Sequence, residues 1–515
     1  MLTLLRYLPV MLISLSLTAQ TSLDTALDSL DRYYARALKE WKVPGMAIAI
    51  VKDGELIFAK GYGTRNINTR EPVDTNTLFA IASNTKAFTS TALAMLADQG
   101  KLSWSDKVRE HLPWFELYAP YVSENFTIRD LLTHRSGLKT FSGDLLWYGT
   151  DLSREEVVRN ARYLEPEYGF RAHYGYSNIM YLAAGLIIEK ASGKSWDAFI
   201  RERILDPLGM DRTISSTHDL AGFKNVSAPH NDYRDTIIAI DWLNWDNIAP
   251  AGGLISTVSD VSRWLFFQLD RGVTPGGDTL IRPERFREMW APQTIQYVSP
   301  WSESMWPSTH FKSYGLGWAL FDYHGRKVIG HGGGYDGFIS NTTIVPEEKL
   351  GFVILTNKNS SLYYPLKFKT LDVLLDTGEH KDWSTDFLAT IEQGREKQEG
   401  SPQSNERAKT GDTGPTLPPE AYHGTYHCKM YGDARVFPEN DQLKLHLVPT
   451  EIFLGNLEHR QYNTWNVEFE KVPSLPGGTV NFLINAEGEV EEMQIDIPNP
   501  DFDFTELRFF KVANN

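Results

Sequence analysis

The chain has 515 residues, 42% of them hydrophobic, which exceeds what one hydrophobic core usually serves and predicts at least two domains. Its formal net charge of −15 argues against a nucleic-acid partner, and no cluster of Lys and Arg offsets it. The single cysteine, Cys428, excludes an intrachain disulfide and a cysteine-based zinc site.

At the N-terminus, Arg6 precedes an apolar run from Leu8 to Leu17, followed by Thr18-Ala19-Gln20. This reads as a secretory signal over residues 1–19, cleaved after Ala19, and predicts a periplasmic or secreted protein. The run is shorter than the roughly 20 residues of a membrane span, so no stable membrane anchor is expected. An uncleaved anchor helix is the alternative.

Met46–Val51 and Leu56–Ala59 flank Asp53-Gly54, the pattern of a tight hairpin. From Ser83 to Gln99 the apolar residues take helical spacing, and Gly100 supplies a stop. Residues 105–310 read as helical and loop-rich. Strand patterns return at Leu316–Phe321, Lys327–Ile329, Phe338–Val345 and Gly351–Leu355. Strands at both ends of a helical middle predict an α+β fold: an antiparallel sheet from the N- and C-terminal strands, flanked by helices, with an inserted helical subdomain.

Residues 394–417 are rich in Gly, Pro, Ser and charge and read as a flexible linker. Beyond it, Leu443, Leu445 and Leu447 alternate with polar residues, as do Met493, Ile495 and Ile497. A small all-β meander or barrel over 418–512 is expected.

Three segments carry chemistry. In Ser83-Asn84-Thr85-Lys86 a hydroxyl and an amine stand three residues apart on one helix face, so both can reach one pocket. Serine needs a base to become a nucleophile, and lysine serves only if burial and neighbouring charge bring its pKa down by about 3 units. On these residues alone, a helix-capping serine and a solvated lysine are the competing reading. Tyr176-Ser177-Asn178 stands directly before an apolar helix, Ile179–Ile188, and His331-Gly332-Gly333-Gly334 ends a strand. Gly193-Lys194-Ser195 is not a phosphate loop, because the glycine required upstream is Ile188. No Gly-x-Ser-x-Gly elbow backs the His331 run, and no His-Glu-x-x-His pairing occurs, so no catalytic metal is predicted; no cofactor is expected.

Together and in this order, the three segments resemble the penicillin-recognising serine hydrolases: class C-like β-lactamases, D-alanyl-D-alanine carboxypeptidases, D-aminopeptidases and related esterases. Further matching segments are Leu131–Leu138, Pro207–Met210, Ala251-Gly252-Gly253-Leu254 with Ser256, and Tyr314–Trp318, so the resemblance covers roughly residues 24–376. The tail resembles a lipocalin-like β domain often appended to these enzymes.

The resemblance implies that Ser83 is acylated, that Lys86 accepts or shares its proton, and that Tyr176 relays a proton to the leaving group. It leaves open which of Lys86 and Tyr176 is the base. It implies that Asn178 holds Lys86 and the substrate, and that backbone N–H groups of Ser83 and Gly334, on the strand of Gly333, form the oxyanion hole. His331 departs from the lysine that faces substrate carboxylates in most of the group. A neutral histidine puts carboxylate recognition in doubt. The reading is therefore a secreted peptidase or esterase acting on small-molecule or peptide substrates, D-amino-acid peptides among them. A true β-lactamase or D,D-carboxypeptidase and a catalytically silent binding module are the alternatives. A homo-oligomer through the β domain is a further expectation.

Overall fold

The computed structural model describes residues 8–233, 236–399, 413–440, 442–472 and 475–512, with the side chains of 8–22 and 396–399 outside the description. The architecture is mixed α and β, with one large antiparallel sheet between helical layers and a separate closed β-barrel at the C-terminus.

Strands β1 (Gly45–Lys52) and β2 (Glu55–Gly63) form the expected hairpin, with positive φ at Asp53 (51°) and Gly54 (85°) in its turn. The other strands are β3 (Thr294–Gln296), β4 (Lys312–Tyr314), β5 (Ala319–Tyr323), β6 (Arg326–Tyr335), β7 (Phe338–Val345) and β8 (Leu350–Thr356). Their order is β2-β1-β8-β7-β6-β5-β4-β3, so the N-terminal hairpin joins the C-terminal strands through β1 and β8. The strand expected from Leu316 begins only at Ala319, because Gly315 N–H donates to the Trp318 carbonyl at 2.7 Å and turns the chain. Residues 105–310 hold short helices and loops as expected, plus unpredicted strand pairings: a small hairpin of His230–Tyr233 with Thr236–Ala239, Ile255–Ser256 against Phe79–Ala80, and β3 at the edge of the large sheet.

Both faces of the sheet are covered, which explains why β1 is apolar at nearly every position rather than alternating. Met46, Ile48 and Ile50 face one layer, made of α1 (Leu8–Glu40), α5 (Tyr363–Leu374) and α6 (Trp383–Glu399). Ala47, Ala49 and Val51 face the other, with α2 (Thr85–Asp98), α3 (Ile179–Ser192) and α4 (Val258–Leu269). Small residues on that face let α4 approach closely. The expected signal segment lies partly outside the described residues; from Leu8 its backbone is helical and continuous with α1. Among the described residues, no helix is long and apolar enough to cross a membrane.

The first residues of the expected linker, Gly394–Glu399, belong to α6, and 400–412 lie outside the described residues. The barrel follows as β9 (Gly424–Cys428), β10 (Gly432–Glu439), β11 (Gln442–Leu447), β12 (Leu454–Gln461), β13 (Thr464–Glu468), β14 (Gly478–Ile484), β15 (Val490–Asp496) and β16 (Arg508–Lys511). Each strand pairs with the next, and β9 pairs with β16 to close the ring. Buried Tyr426, Leu445, Trp465, Phe482, Met493 and Phe509 belong to its core, as expected for an eight-stranded barrel filled by its own side chains. The core of the barrel is continuous with that of the larger domain, where Phe502 meets Tyr148 at 4.3 Å between ring centroids.

Candidate active site

Ser83 does not cap a helix. It sits in a 3₁₀ turn, Ala82–Asn84, directly before α2, and the helix start receives no side-chain cap. Ala82, next to it, has φ 47°, a left-handed conformation that costs an alanine free energy and persists only where surroundings impose it. The surroundings are specific. Ser340 on β7 donates to the Ile81 carbonyl at 2.7 Å and accepts from Asn84 Nδ2 at 2.8 Å. Ile81 N–H donates to Leu254 O at 3.0 Å, and Leu254 N–H donates to Thr85 Oγ1 at 3.1 Å. Gly333 lies against the same turn, where an added Cβ would stand 2.4 Å from Ile81 O and 2.5 Å from Ser340 Oγ. Only a glycine lets β6 approach so closely.

Lys86 is fully buried, not solvated. Its Nζ lies 3.1 Å from Ser83 Oγ, 2.7 Å from Asn178 Oδ1 and 2.8 Å from the Ala251 carbonyl. Two of these partners can only accept from it. A neutral amine has two N–H groups and one lone pair; with both N–H groups committed, the lone pair is left for the Ser83 hydroxyl. Burial drives the Lys86 pKa well below its ordinary value, against the opposing charge of Asp144.

Asp144 was not singled out by the sequence. It is buried, and its Oδ2 accepts from Asn178 Nδ2 at 2.6 Å, so Asn178 bridges carboxylate and lysine. Burial raises its pKa to about 7, with the Asn178 hydrogen bond and Lys86 charge acting the other way.

Tyr176 is set against Ser83, with Lys86 Nζ 4.7 Å from its ring centroid. Burial holds its pKa well above the ordinary tyrosine value, keeping it protonated. Behind it stacks the buried His134, 4.1 Å away between centroids, whose Nδ1 accepts from Ser177 N–H at 3.1 Å.

His331, on β6, spends both ring nitrogens inside the protein. Nδ1 lies 2.5 Å from the Gly332 carbonyl, which can only accept, so Nδ1 carries the proton and Nε2 accepts from Tyr314 O–H at 2.8 Å. Burial, reinforced by the charge of Lys86, lowers its pKa to about 3. It is neutral throughout the physiological range.

These residues open onto a cleft of about 490 Å³. Ser83, Tyr176, Asn178, His331, Gly332 and Gly334 line it, while Gly333 backs the Ser83 turn. Its walls are aromatic, with Phe141, Trp147, Tyr148, Trp245 and Tyr335, and among the described residues its lining includes Asp144, Asp336 and Asp501 but no Lys or Arg. The barrel supplies one wall through Leu475, Asn499, Asp501 and Phe502. The composition of the tail gave no sign of this.

Comparison with known proteins follows the same division. A family model described as beta-lactamase matches residues 30–369, and one described as a domain of unknown function (DUF3471) matches 408–511. An unguisins hydrolase of Aspergillus campestris (strain IBT 28561) is 31% identical over 431 residues, covering 78% of this chain and 77% of its own. Protein flp of Staphylococcus aureus (strain N315) is 27% identical, over 69% of this chain and 67% of its own. Among solved structures, the octameric penicillin-binding protein homologue from Pyrococcus abyssi shares the fold, with TM-score 0.61 and 23% identity over 94% of this chain and all of that one.

Proposed function

The chain belongs to the beta-lactamase family and is a serine hydrolase, and from that premise we propose that it cleaves amide or ester bonds through an acyl-enzyme on Ser83. The observation that carries this is the hydrogen bonding of Lys86, with Asn178 and Ala251 holding its N–H groups and Ser83 facing its lone pair. Lys86 takes the Ser83 proton as Oγ attacks the carbonyl carbon. The developing oxyanion is met by the backbone N–H groups of Ser83 and Gly334; one such donor typically contributes about 3–4 kcal/mol. Tyr176, kept protonated by burial, gives its proton to the leaving nitrogen or oxygen and is reprotonated from Lys86. Water then repeats the sequence on the acyl-enzyme. The opposite shifts of Lys86 and Tyr176 favour the lysine as base and the tyrosine as acid.

Aromatic walls, two carboxylates beyond Asp144 and a neutral His331 support peptide or ester substrates over ones recognised by a carboxylate. That weighs against an efficient β-lactamase or D,D-carboxypeptidase. Arg6 with the apolar Leu8–Leu17 run supports export to the periplasm or beyond. Labelling with a fluorophosphonate and a fluorescent penicillin, with Ser83→Ala as control, tests the proposal. Labelling of Ser83 by the phosphonate alone is expected. Efficient penicillin labelling would restore the β-lactamase reading, and no labelling by either probe would leave a silent binding module.

A further inference from the structure

The loop from Lys139 to Asp144 is held from two sides. On the hydrolase side, Phe141 N–H donates to the Tyr176 carbonyl at 2.8 Å, and Tyr176 N–H donates to Thr140 Oγ1 at 3.2 Å. On the barrel side, one carboxylate takes two hydrogen bonds: Ser142 Oγ donates to Glu506 Oε1 at 2.6 Å, and Gly143 N–H donates to Oε2 at 2.8 Å. Lys139 adds an ion pair with Asp503 and stands 3.7 Å from Glu506. The next residue along is Asp144, which leads through Asn178 and Lys86 to Ser83 by bonds of 2.6, 2.7 and 3.1 Å. From the barrel carboxylate to the nucleophile the path is hydrogen-bonded throughout, save for the covalent step from Gly143 to Asp144.

We propose that Glu506 of the barrel is a positioning residue for acyl transfer: its grip on Ser142 and Gly143 sets Asp144 against Asn178 and so aims Lys86 at Ser83. The proposal rests on the Ser83 acyl-enzyme reading. A carboxylate with both oxygens engaged fixes the loop in position and in rotation. A glutamine in its place can still accept from Gly143 N–H and donate to Ser142 Oγ, whereas an alanine loses both contacts. Misplacement of a reacting group by about 1 Å can cost about 100-fold in rate. The barrel is on this account part of the catalytic apparatus, and its Phe502 wall serves binding while Glu506 serves turnover.

The test uses the full-length protein with p-nitrophenyl butyrate as probe. Glu506→Ala is expected to lower kcat about 10-fold with KM within about twofold and the melting temperature little changed, and Glu506→Gln, which can hold both contacts, to keep most of kcat. Ser142→Ala, which loosens the grip from the other side, is expected to lower kcat about threefold and guards against a Glu506 variant that fails to fold. Unchanged kcat in Glu506→Ala and Ser142→Ala, a rise in KM alone, or a loss that only tracks the folded fraction would each overturn the proposal. If the wild type neither turns over the ester nor is labelled by a fluorophosphonate, the acyl-enzyme reading falls, and this proposal with it. An active wild type with indifferent variants removes this proposal alone.

Discussion

Replacing Asp144 by asparagine removes a buried titrating group while keeping an acceptor for Asn178. The wild-type carboxyl has a pKa of about 7 when folded, against 3.8 for an ordinary aspartate. Below pH 4 both states hold the proton and the group contributes nothing to pH dependence. Between 4 and 7 the folded chain keeps a proton that the unfolded chain releases, so stability falls as pH rises; above 7 the full cost is present. Between pH 5.5 and pH 8.5 the loss spans about 1.5 units, or about 2 kcal/mol at 1.36 kcal/mol per unit. Asp144→Asn lacks this term. Its melting temperature relative to wild type is therefore expected to rise by a few degrees from pH 5.5 to pH 8.5, while kcat falls at both. Thermal unfolding of both proteins across that range is the assay. A stability difference independent of pH would refute the assignment of a raised pKa to Asp144, and unchanged kcat would remove it from the path to Lys86.

Gly333→Ala would press a methyl group onto the Ile81 carbonyl and Ser340 Oγ, and is expected to cost about 1–3 kcal/mol of stability and most of the activity by displacing the Ser83 turn, as read by unfolding and ester hydrolysis. Phe502→Ala opens the barrel side of the cleft and is expected to raise KM severalfold for p-nitrophenyl butyrate with a smaller change for the acetate; equal effects on both would deny Phe502 a place in acyl binding. Because His331 is neutral, p-nitrophenyl monosuccinate is expected to show a lower kcat/KM than the butyrate from pH 6 to pH 8. A preference for the anionic ester would show that the cleft carries a positive charge after all.

Much of the fold was legible because its signals are local. Short apolar runs and turn chemistry mark β1, β2, β7 and β8, and Asp53-Gly54 announces its own turn. The pairing of Ser83 with Lys86 was legible for the same reason, the two standing three residues apart. What escaped is made by long-range contacts. Ala251 offers Lys86 a backbone carbonyl, which no side-chain pattern reveals, across 165 residues. Asp144 looks like any acidic residue in a loop until Asn178, 34 residues on, donates to it. Ser340 staples the Ser83 turn from 259 residues beyond Ile81. The barrel hid most completely. A linker-like composition suggests an independent appendage, yet Glu506 binds Ser142 across 364 residues, and nothing in an exposed-looking acidic tail distinguishes that glutamate. His331 stands out in the sequence as a departure from the lysine of the resembling enzymes, but the burial that keeps it neutral and the Tyr314 hydroxyl that fixes its tautomer both come from long-range packing.

In the proposed mechanism Ser83, activated by Lys86, carries the acyl group. Intact-mass analysis during turnover of a slow ester, followed by peptide mapping, tests it most directly. One acyl adduct on the peptide containing Ser83 is expected, present in the wild type and absent in both Ser83→Ala and Lys86→Met. Steady turnover with no adduct on that peptide, or an adduct that survives Ser83→Ala, would contradict the account.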